Sequence, residues 1–230
     1  MSWMEEARKR AASAAVKHLE DGFTVGLGSG NTAAYAINEM GRRIRQKKWR
    51  ILGVPTSHQA LKLAVDSGIP ITTLDEHPEL DLTIDGADQI DKELNLIKGM
   101  GGALTREKIV ASATKELVIV ADQTKLTDKL GRNQPLPVEV LRFALPTVML
   151  RIQEMGGKPI LREGKGKVGP VVTDNGNLII DINFGPIDSP KELNLRLKSI
   201  PGVIETGLFI GMADVVYAGK PAGVDKFETG

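Results

Sequence analysis

Residues 23–33 read Phe23-Thr24-Val25-Gly26-Leu27-Gly28-Ser29-Gly30-Asn31-Thr32-Ala33. The apolar first half is typical of a short buried strand, and Asn31 or Thr32 stands near the cap of a helix predicted for residues 31–40. The glycines between strand and helix permit a tight turn with open backbone N–H groups. A strand that turns through glycines into a helix is a typical unit of an α/β sheet, so this stretch indicates the fold class.

The alternation of strands and helices extends on both sides of this stretch. Helices are predicted for residues 3–20, 57–67 and 105–113, and apolar segments at 50–55, 69–73, 80–84 and 117–122 predict strands. Apolar strands separated by helices indicate a parallel, doubly wound sheet that is covered on both faces. A last apolar segment, residues 213–217, is predicted to return to this sheet.

The pattern changes near residue 131, where Gly131, Pro135 and Pro137 mark a linker. Residues 137–209 then follow the order β, α, β, β, α, β, which is that of a ferredoxin-like unit. We therefore predict an α/β protein with a doubly wound, mostly parallel sheet domain and an inserted ferredoxin-like α+β domain. The sheet domain comprises residues 1–130 plus 211–230 and carries the active site, and the inserted domain comprises residues 131–210.

The composition narrows the class of protein. The 230 residues include 30 Lys and Arg against 29 Asp and Glu, and a general nucleic-acid binder usually has a basic excess. The absence of cysteine excludes disulfides, thiolate catalysis and cysteine metal ligands. No apolar run approaches the roughly 20 residues of a membrane span, and the first residues contain no apolar signal core. We expect a cytoplasmic protein without nucleic-acid or membrane partners.

The glycine loop at residues 28–33 predicts an anion site. The N–H groups at a helix start are unpaired and the helix dipole is positive there, and Ser29 and Thr32 add hydroxyl donors. The spacing also fits the G-x-G-x-x-A form of a dinucleotide fingerprint, but the acidic residue expected after the second strand is missing from residues 54–58. A small phosphate monoester fits better, while a nicotinamide oxidoreductase and a turn that binds nothing stay as alternatives.

A second cluster of polar residues follows the strand at 80–84. It reads Asp85-Gly86-Ala87-Asp88 and then, from residue 98, Lys98-Gly99-Met100-Gly101-Gly102-Ala103-Leu104-Thr105-Arg106-Glu107-Lys108. A base, an ammonium group, further carboxylates and open N–H groups are what a site needs to move a proton on a small anionic substrate. The spacing of the acidic residues matches no calcium loop, and no histidine nearby suggests zinc, so no metal site is predicted.

Each of these residues has a structural alternative. Asp85 suits a turn, Asp88 could cap a helix, and Lys98 could be a surface cation. The dipole favours any carboxylate in the first turn of a helix, where Glu107 stands. A capping box would place that carboxylate three residues after Thr105 rather than two, so reciprocal capping does not explain it. Together with the two glycine clusters, these residues favour a catalytic site.

The chain resembles the type A ribose-5-phosphate isomerases along most of its length. The matching motifs lie, in order, at residues 26–32, 85–88, 98–108, 121–125, 135–140, 172–177 and 200–203. The resemblance implies a sheet domain with an inserted ferredoxin-like domain, and interconversion of D-ribose 5-phosphate and D-ribulose 5-phosphate in the non-oxidative pentose phosphate pathway. It further implies an enediolate intermediate, no metal or organic cofactor, and a homodimer or homotetramer.

The resemblance also implies roles for single residues. Glu107 matches the catalytic base, and Asp85, Asp88 and Lys98 match the residues around the reacting oxygens. The substrate-binding positions are Ser29, Gly30, Asn31, Thr32, Asp85, Gly86, Ala87, Asp88, Lys98, Gly99, Met100, Gly101 and Lys125.

The chain departs from the family pattern at three places. The family's Thr-Gly-Ser-Thr is Ser-Gly-Asn-Thr here, its Lys-Gly-Gly-Gly is Lys-Gly-Met-Gly, and Gln89 replaces a frequent acidic residue. None of these changes removes a catalytic group. A non-catalytic sugar-phosphate sensor stays as an alternative, although a sensor has no need of Glu107.

Overall fold

The computed structural model describes residues 2–166 and 168–229. Its helices are α1 (Trp3–Ala15), α2 (Asn31–Lys47), α3 (His58–Asp66), α4 (Leu104–Ser112), α5 (Leu145–Glu154) and α6 (Pro190–Lys198). Its strands are β1 (Thr24–Leu27), β2 (Leu52–Pro55), β3 (Leu80–Gly86), β4 (Gln89–Ile90), β5 (Leu96–Ile97), β6 (Thr114–Asp122), β7 (Leu136–Val140), β8 (Lys158–Leu161), β9 (Leu178–Asn183), β10 (Val203–Thr206), β11 (Leu208–Phe209), β12 (Val215–Lys220) and β13 (Gly223–Glu228). None of these helices is long and apolar enough to cross a bilayer.

The chain forms two compact units. The first holds the described residues up to Ala87, Arg106–Leu126 and those from Gly211 onward, and the second holds Asp88–Thr105 and Thr127–Ile210. The second unit therefore includes residues 88–105 and 127–130, which the sequence prediction placed in the sheet domain. The reason is strand pairing, because β4 and β5 form a small antiparallel sheet with β11 of the second unit.

The first unit is built on a six-stranded sheet of order β13-β12-β6-β3-β1-β2. All neighbours are parallel except β13, which pairs antiparallel with β12 at the edge. The mostly parallel sheet is as predicted, and so is the return of the last apolar segment, since β12 lies beside β6. The edge strand β13 was not predicted. The strand predicted at 69–73 is wrong, because only Ile71 of this segment forms a bridge, to Gly53.

The two faces of this sheet follow the alternation of side chains along its strands. Val25 and Leu27 pack in the core shared with α1, α2 and α3. Gly26, between them, points to the opposite face, where an added Cβ would lie 2.5 Å from the side chain of Val110 in α4. Parallel strands with opposite faces under different helices form the predicted doubly wound sheet.

The second unit contains a four-stranded antiparallel sheet of order β10-β7-β9-β8. With α5 after β7 and α6 after β9, this arrangement confirms the ferredoxin-like unit. Val138 and Ile180 pack with Val148 of α5 and Leu197 of α6 in one core. The single strand predicted for residues 203–209 is instead two short strands in different sheets. Gly207 separates the two strands, and a Cβ at this position would lie 2.3 Å from the carbonyl oxygen of Lys98.

Candidate active site

The carboxyl edge of the large sheet collects the predicted site residues of the first unit. The strands β1, β2, β3 and β6 are parallel, so the segments after them lie at the same edge. Ser29 follows β1, Thr56 follows β2, Asp85 lies near the end of β3, and Lys125 follows β6. Ligands of open α/β sheets bind outside this edge, which is consistent with the predicted site.

Asp85 joins the glycine loop to the end of β3. Its Oδ1 accepts hydrogen bonds from the N–H of Ser29 at 3.0 Å and from the N–H of Gly86 at 2.7 Å. A Cβ on Gly28 would lie 2.2 Å from this oxygen, so only glycine permits the approach. The side chain of Asp85 is 1% exposed, and it orders two backbone segments that were both predicted to bind substrate.

A cluster of hydroxyl groups next to this loop was missed by the sequence analysis. The Oγ of Ser29 lies 2.7 Å from Oγ1 of Thr56 and donates to Oγ of Ser57 at 2.6 Å. The Oε1 of Gln59 accepts from the N–H of Gly30 at 2.9 Å. Thr56 and Ser57 stand after the second strand, where a dinucleotide site would need a carboxylate. These two hydroxyl side chains were the signal in the sequence from which the cluster could have been predicted.

The start of α2 differs in detail from the prediction. Gly30, with φ of +93°, is the N-cap residue and provides no side-chain capping bond. Asn31 and Thr32 therefore lie in the first helical turn, where backbone N–H groups have no intrahelical partner. The unusual backbone conformation of the loop thus belongs to Gly30, and it does not depend on whether residue 31 is serine or asparagine.

Lys125 is the last residue of a short 3₁₀ turn, Gln123–Lys125, and the buried Asp122 is the N-cap residue of this turn. Asp122 accepts hydrogen bonds from the N–H of Thr124 at 3.1 Å and from Nε of Arg8 at 2.8 Å. Burial by itself would raise the pKa of Asp122, but the hydrogen bonds from Thr124 and Arg8 together outweigh it and hold the pKa below its ordinary value. The carboxylate is therefore ionised when it holds the turn that carries Lys125.

Glu107 lies in the first turn of α4 and is 5% exposed. The carbonyl of Ala113, just after this helix, accepts from the N–H of Leu80 at the start of β3. The first turn of α4 therefore points toward the carboxyl edge of the sheet. Glu107 has interaction partners, but its Oε2 atom is buried and accepts no hydrogen bond from residues 2–166 and 168–229.

The start of α4 differs by one residue from the predicted start at residue 105. The helix begins one residue earlier, at Leu104, and the hydroxyl of Thr105 donates to Oε2 of Glu139. The dipole at the helix start still favours the carboxylate of Glu107, as expected.

Lys98 and Asp88 belong to the second unit. Lys98 is 3% exposed, with its Nζ 5.3 Å from the ring centre of Phe209, so the alternative of a surface cation is wrong. The Oδ2 of Asp88 accepts from the N–H of Met100 at 2.9 Å, which ties the 85–88 segment to the second glycine loop. Asp88 therefore supports this loop rather than a helix start.

The second glycine loop tolerates its methionine for a conformational reason. Gly99 and Gly102 have φ of +103° and +84°, which L side chains rarely adopt, whereas Met100 is absent from the positive-φ residues among those described. The side chain of Met100 is exposed, and its carbonyl accepts from Arg162 at 3.0 Å. The added side chain thus leaves the backbone bonds of the loop in place.

The geometry therefore gathers the predicted residues in two sets. Within the first unit, hydrogen bonds connect Ser29, Asp85 and Gly86, and the sheet edge adds Gly30, Asn31, Thr32, Ala87, Glu107 and Lys125. Within the second unit, Asp88, Lys98, Gly99, Met100 and Gly101 form the other set. In the described part of the chain, no three or more His, Cys, Asp or Glu side chains are grouped so as to hold a metal ion.

Comparison with known proteins identifies the family of this chain. A sequence model of ribose 5-phosphate isomerase A (phosphoriboisomerase A) matches residues 52–223. The ribose-5-phosphate isomerase A of Methanosarcina acetivorans is 50% identical over 226 residues, which cover 98% of this chain and 95% of that protein. The chain belongs to the ribose 5-phosphate isomerase A family.

Solved structures of this family share the whole architecture. Ribose 5-phosphate isomerase A of Methanocaldococcus jannaschii is 44% identical, with a TM-score of 0.94 over 98% of this chain and 99% of that one. A D-ribose-5-phosphate isomerase in complex with phospho-erythronic acid is 43% identical, with a TM-score of 0.96 over 100% of both chains. The similarity therefore extends over both units.

Membership in the ribose 5-phosphate isomerase A family decides between the classes of function. The protein is an isomerase of this family, because its relatives carry that name over nearly their full length. Neither the nicotinamide oxidoreductase nor the sugar-phosphate sensor receives support from these comparisons.

Proposed function

We propose that this protein interconverts D-ribose 5-phosphate and D-ribulose 5-phosphate through an enediolate. The observation that carries the proposal is near full-length identity of 48–50% to ribose-5-phosphate isomerases A. The ligand of a solved relative, phospho-erythronic acid, supports it further. An aldonic acid has a planar, charged carboxylate where the aldose has its aldehyde, and so it mimics an enediolate.

We propose that the phosphate binds the loop of Ser29, Gly30, Asn31 and Thr32, together with Lys125. Support comes from the loop's position at the start of α2, where unpaired N–H groups and the helix dipole favour an anion. The hydroxyl of Ser29, held by Thr56 and Ser57, adds a donor of fixed direction. In this scheme the N–H of Gly30 exchanges Gln59 for a phosphate oxygen.

Glu107 is the proposed base. It removes the proton from C2 of the open-chain aldose and returns it to C1, and the electron pair of the C2–H bond moves into the enediolate. The low exposure of Glu107 limits competition from water for this proton. Proton transfer by a positioned carboxylate typically contributes 10²–10⁴-fold to a rate.

The enediolate oxygens need positive partners, because the intermediate carries the charge left by the proton. Lys98 and N–H groups of the loop Gly99-Met100-Gly101 are proposed to stabilise them, usually the largest electrostatic contribution in such reactions. Asp85 or Asp88 is proposed to move protons between O1 and O2 or to assist ring opening. Gly86 and Ala87 complete the proposed substrate-binding segment.

The test is turnover of D-ribose 5-phosphate to D-ribulose 5-phosphate by the purified protein, with and without EDTA. EDTA-resistant turnover is expected, since no step above uses a metal. Saturable binding without turnover would instead favour a sensor, and turnover that EDTA abolishes would contradict the proposed metal-free chemistry.

The remaining sequence expectations stay predictions. They are a homodimer or homotetramer, a cytoplasmic location, a role in the non-oxidative pentose phosphate pathway, and no nucleic-acid partner. Light scattering of the purified protein decides between dimer and tetramer.

A further inference from the structure

Glu139, in the middle of β7, is a fully buried carboxylate with 0% exposure. Its neighbours Val138 and Val140 face the core with α5 and α6, so Glu139 points to the other face of the sheet. A buried charge is costly unless it is paired or fully hydrogen-bonded. The contacts of Glu139 therefore indicate what this side chain is for.

Side chains of four residues donate to this carboxylate, and they divide between its two oxygens. Oε1 accepts from Thr173 at 2.9 Å, from Asn177 at 2.9 Å and from Asn175 at 3.1 Å. Oε2 accepts from the hydroxyl of Thr105 at 2.5 Å, and Asn175 lies at 3.5 Å. One oxygen thus orders the turn before β9, and the other binds Thr105.

Thr105 is the second residue of α4, and Glu107 stands two residues later in the same turn. The first turn of a helix is less constrained than the helix interior, because its N–H groups have no intrahelical acceptor. The bond to Glu139 ties this turn to a strand in the interior of a sheet. The backbone that carries Glu107 is thereby held at Thr105, which lies less than one helical turn from Glu107.

We propose that Glu139 is a positioning residue for the isomerase reaction, which acts through Thr105 to fix the first turn of α4 and with it the carboxylate of Glu107. This rests on the proposed function, in which Glu107 is the base. A displacement of about 1 Å in a reacting group can cost about 10²-fold in rate, so such an anchor affects turnover without touching substrate.

The network needs a carboxylate rather than an amide. Both oxygens face donors, and an ionised carboxylate is the side chain that accepts at both ends and donates at neither. A glutamine would present an NH₂ group to one of the two sets of donors. Acceptance at both oxygens thus explains why a carboxyl side chain, and not an amide, stands in this buried place.

A purely structural role for Glu139 predicts a different result. Substitutions of Thr105 and Thr173 distinguish this role from the positioning role. Thr105→Val removes the bond to α4, whereas Thr173→Val removes a bond from the same carboxylate to the turn. Thr173 also accepts from the N–H groups of Asn175 and Asn177, so its loss breaks more bonds. Stability alone would therefore make Thr173→Val the more damaging change.

The experiment measures kcat, KM, thermal stability and amide exchange for both variants and for Thr105→Ser. For Thr105→Val we expect kcat to fall about 10-fold or more with KM changed less than about 2-fold. For Thr173→Val we expect kcat within about 2-fold, despite an equal or larger loss of stability. Thr105→Ser keeps the hydroxyl and should restore kcat.

Amide exchange gives a readout independent of activity. The first intrahelical bonds of α4 involve the amides of residues 107–109, which should exchange faster in Thr105→Val and unchanged in Thr173→Val. Equal kcat in the two valine variants, in an enzyme whose wild type turns over ribose 5-phosphate, would overturn the positioning role. Absence of turnover in the wild type would instead overturn the proposed function, while the exchange result would still test the anchor.

Discussion

The backbone N–H of Ser29 donates a 3.0 Å hydrogen bond to Oδ1 of Asp85, and this single bond connects the loop after β1 with the end of β3. The same oxygen accepts the N–H of Gly86, so the carboxylate holds its own backbone segment as well. Asp85 therefore has a geometric role in addition to any proton transfer. The two roles differ in what they require, since the geometry needs an acceptor and the chemistry needs a titratable group.

Replacement of Asp85 separates these roles. Asp85→Asn keeps an oxygen that can accept from Ser29 and Gly86, so we expect the fold and substrate binding to persist while kcat falls by about 10²-fold. Asp85→Ala removes the acceptor and should raise KM as well. Steady-state kinetics of both variants provide the measurement. If the asparagine variant turned over normally, Asp85 would have no part in moving protons.

Gly28 is expected to be intolerant of any side chain. In Gly28→Ala the new Cβ would lie 2.2 Å from Oδ1 and 2.5 Å from Cα of Asp85. Overpacking of this kind typically costs about 1–3 kcal/mol, and here it also displaces the loop. We expect the free energy of unfolding in urea to fall by about that amount.

Gly86→Ala is the matched control for Gly28→Ala. Its Cβ would meet nothing closer than 3.8 Å, and Gly86 is absent from the described glycines with positive φ. Its unfolding free energy should therefore change by less than about 1 kcal/mol. Similar losses of unfolding free energy in the two variants would mean that Gly28 is not required for the close approach to Asp85.

The role of Glu107 is tested by its neutral isostere. Glu107→Gln cannot accept the proton from C2, so kcat should fall by 10²–10⁴-fold or more, with little change in thermal stability. Glu154→Gln, at an exposed ion pair with Arg151, serves as control and should leave kcat unchanged. Near-normal turnover of the Glu107 variant would exclude it as the base.

Asp122 should make stability depend on pH in the acid range. Its pKa is lower in the folded protein than the ordinary value of 3.8, because hydrogen bonds from Thr124 and Arg8 outweigh the effect of burial. The stabilisation it provides is therefore present above about pH 4 and is lost as the pH falls through the folded-state pKa.

Urea unfolding at about pH 6, 4 and 3 measures this effect. We expect Asp122→Asn to be less stable than wild type at the highest pH and to approach it as the pH falls. Asp66→Asn removes an exposed partner of Lys62 and should differ little from wild type throughout. A constant difference between Asp122→Asn and wild type across this range would show that ionisation of Asp122 does not contribute.

Much of the fold was predictable because its signals are local. The apolar run at β6, the glycine turn after β1 and the order of elements from β7 to β10 are all visible along the chain. The errors arose where pairing partners are distant. Residues 69–73 have the composition of a strand, yet Ile71 finds a single bridge, and residues 203–209 divide because β11 pairs with β5.

The sequence by itself determined the α/β class, the ferredoxin-like order, the two glycine loops and the residues proposed for the reaction. The class, the order of elements and the loops follow from periodicity and turn chemistry, whereas the residues proposed for the reaction follow from short motifs and from the family resemblance that these motifs imply. Only the tertiary structure decided that Gly28 lies against Asp85, that Thr56 and Ser57 hold Ser29, and that Glu139 binds Thr105. Each of these contacts joins residues 27 or more positions apart, and no local pattern specifies them because they depend on which strands become neighbours.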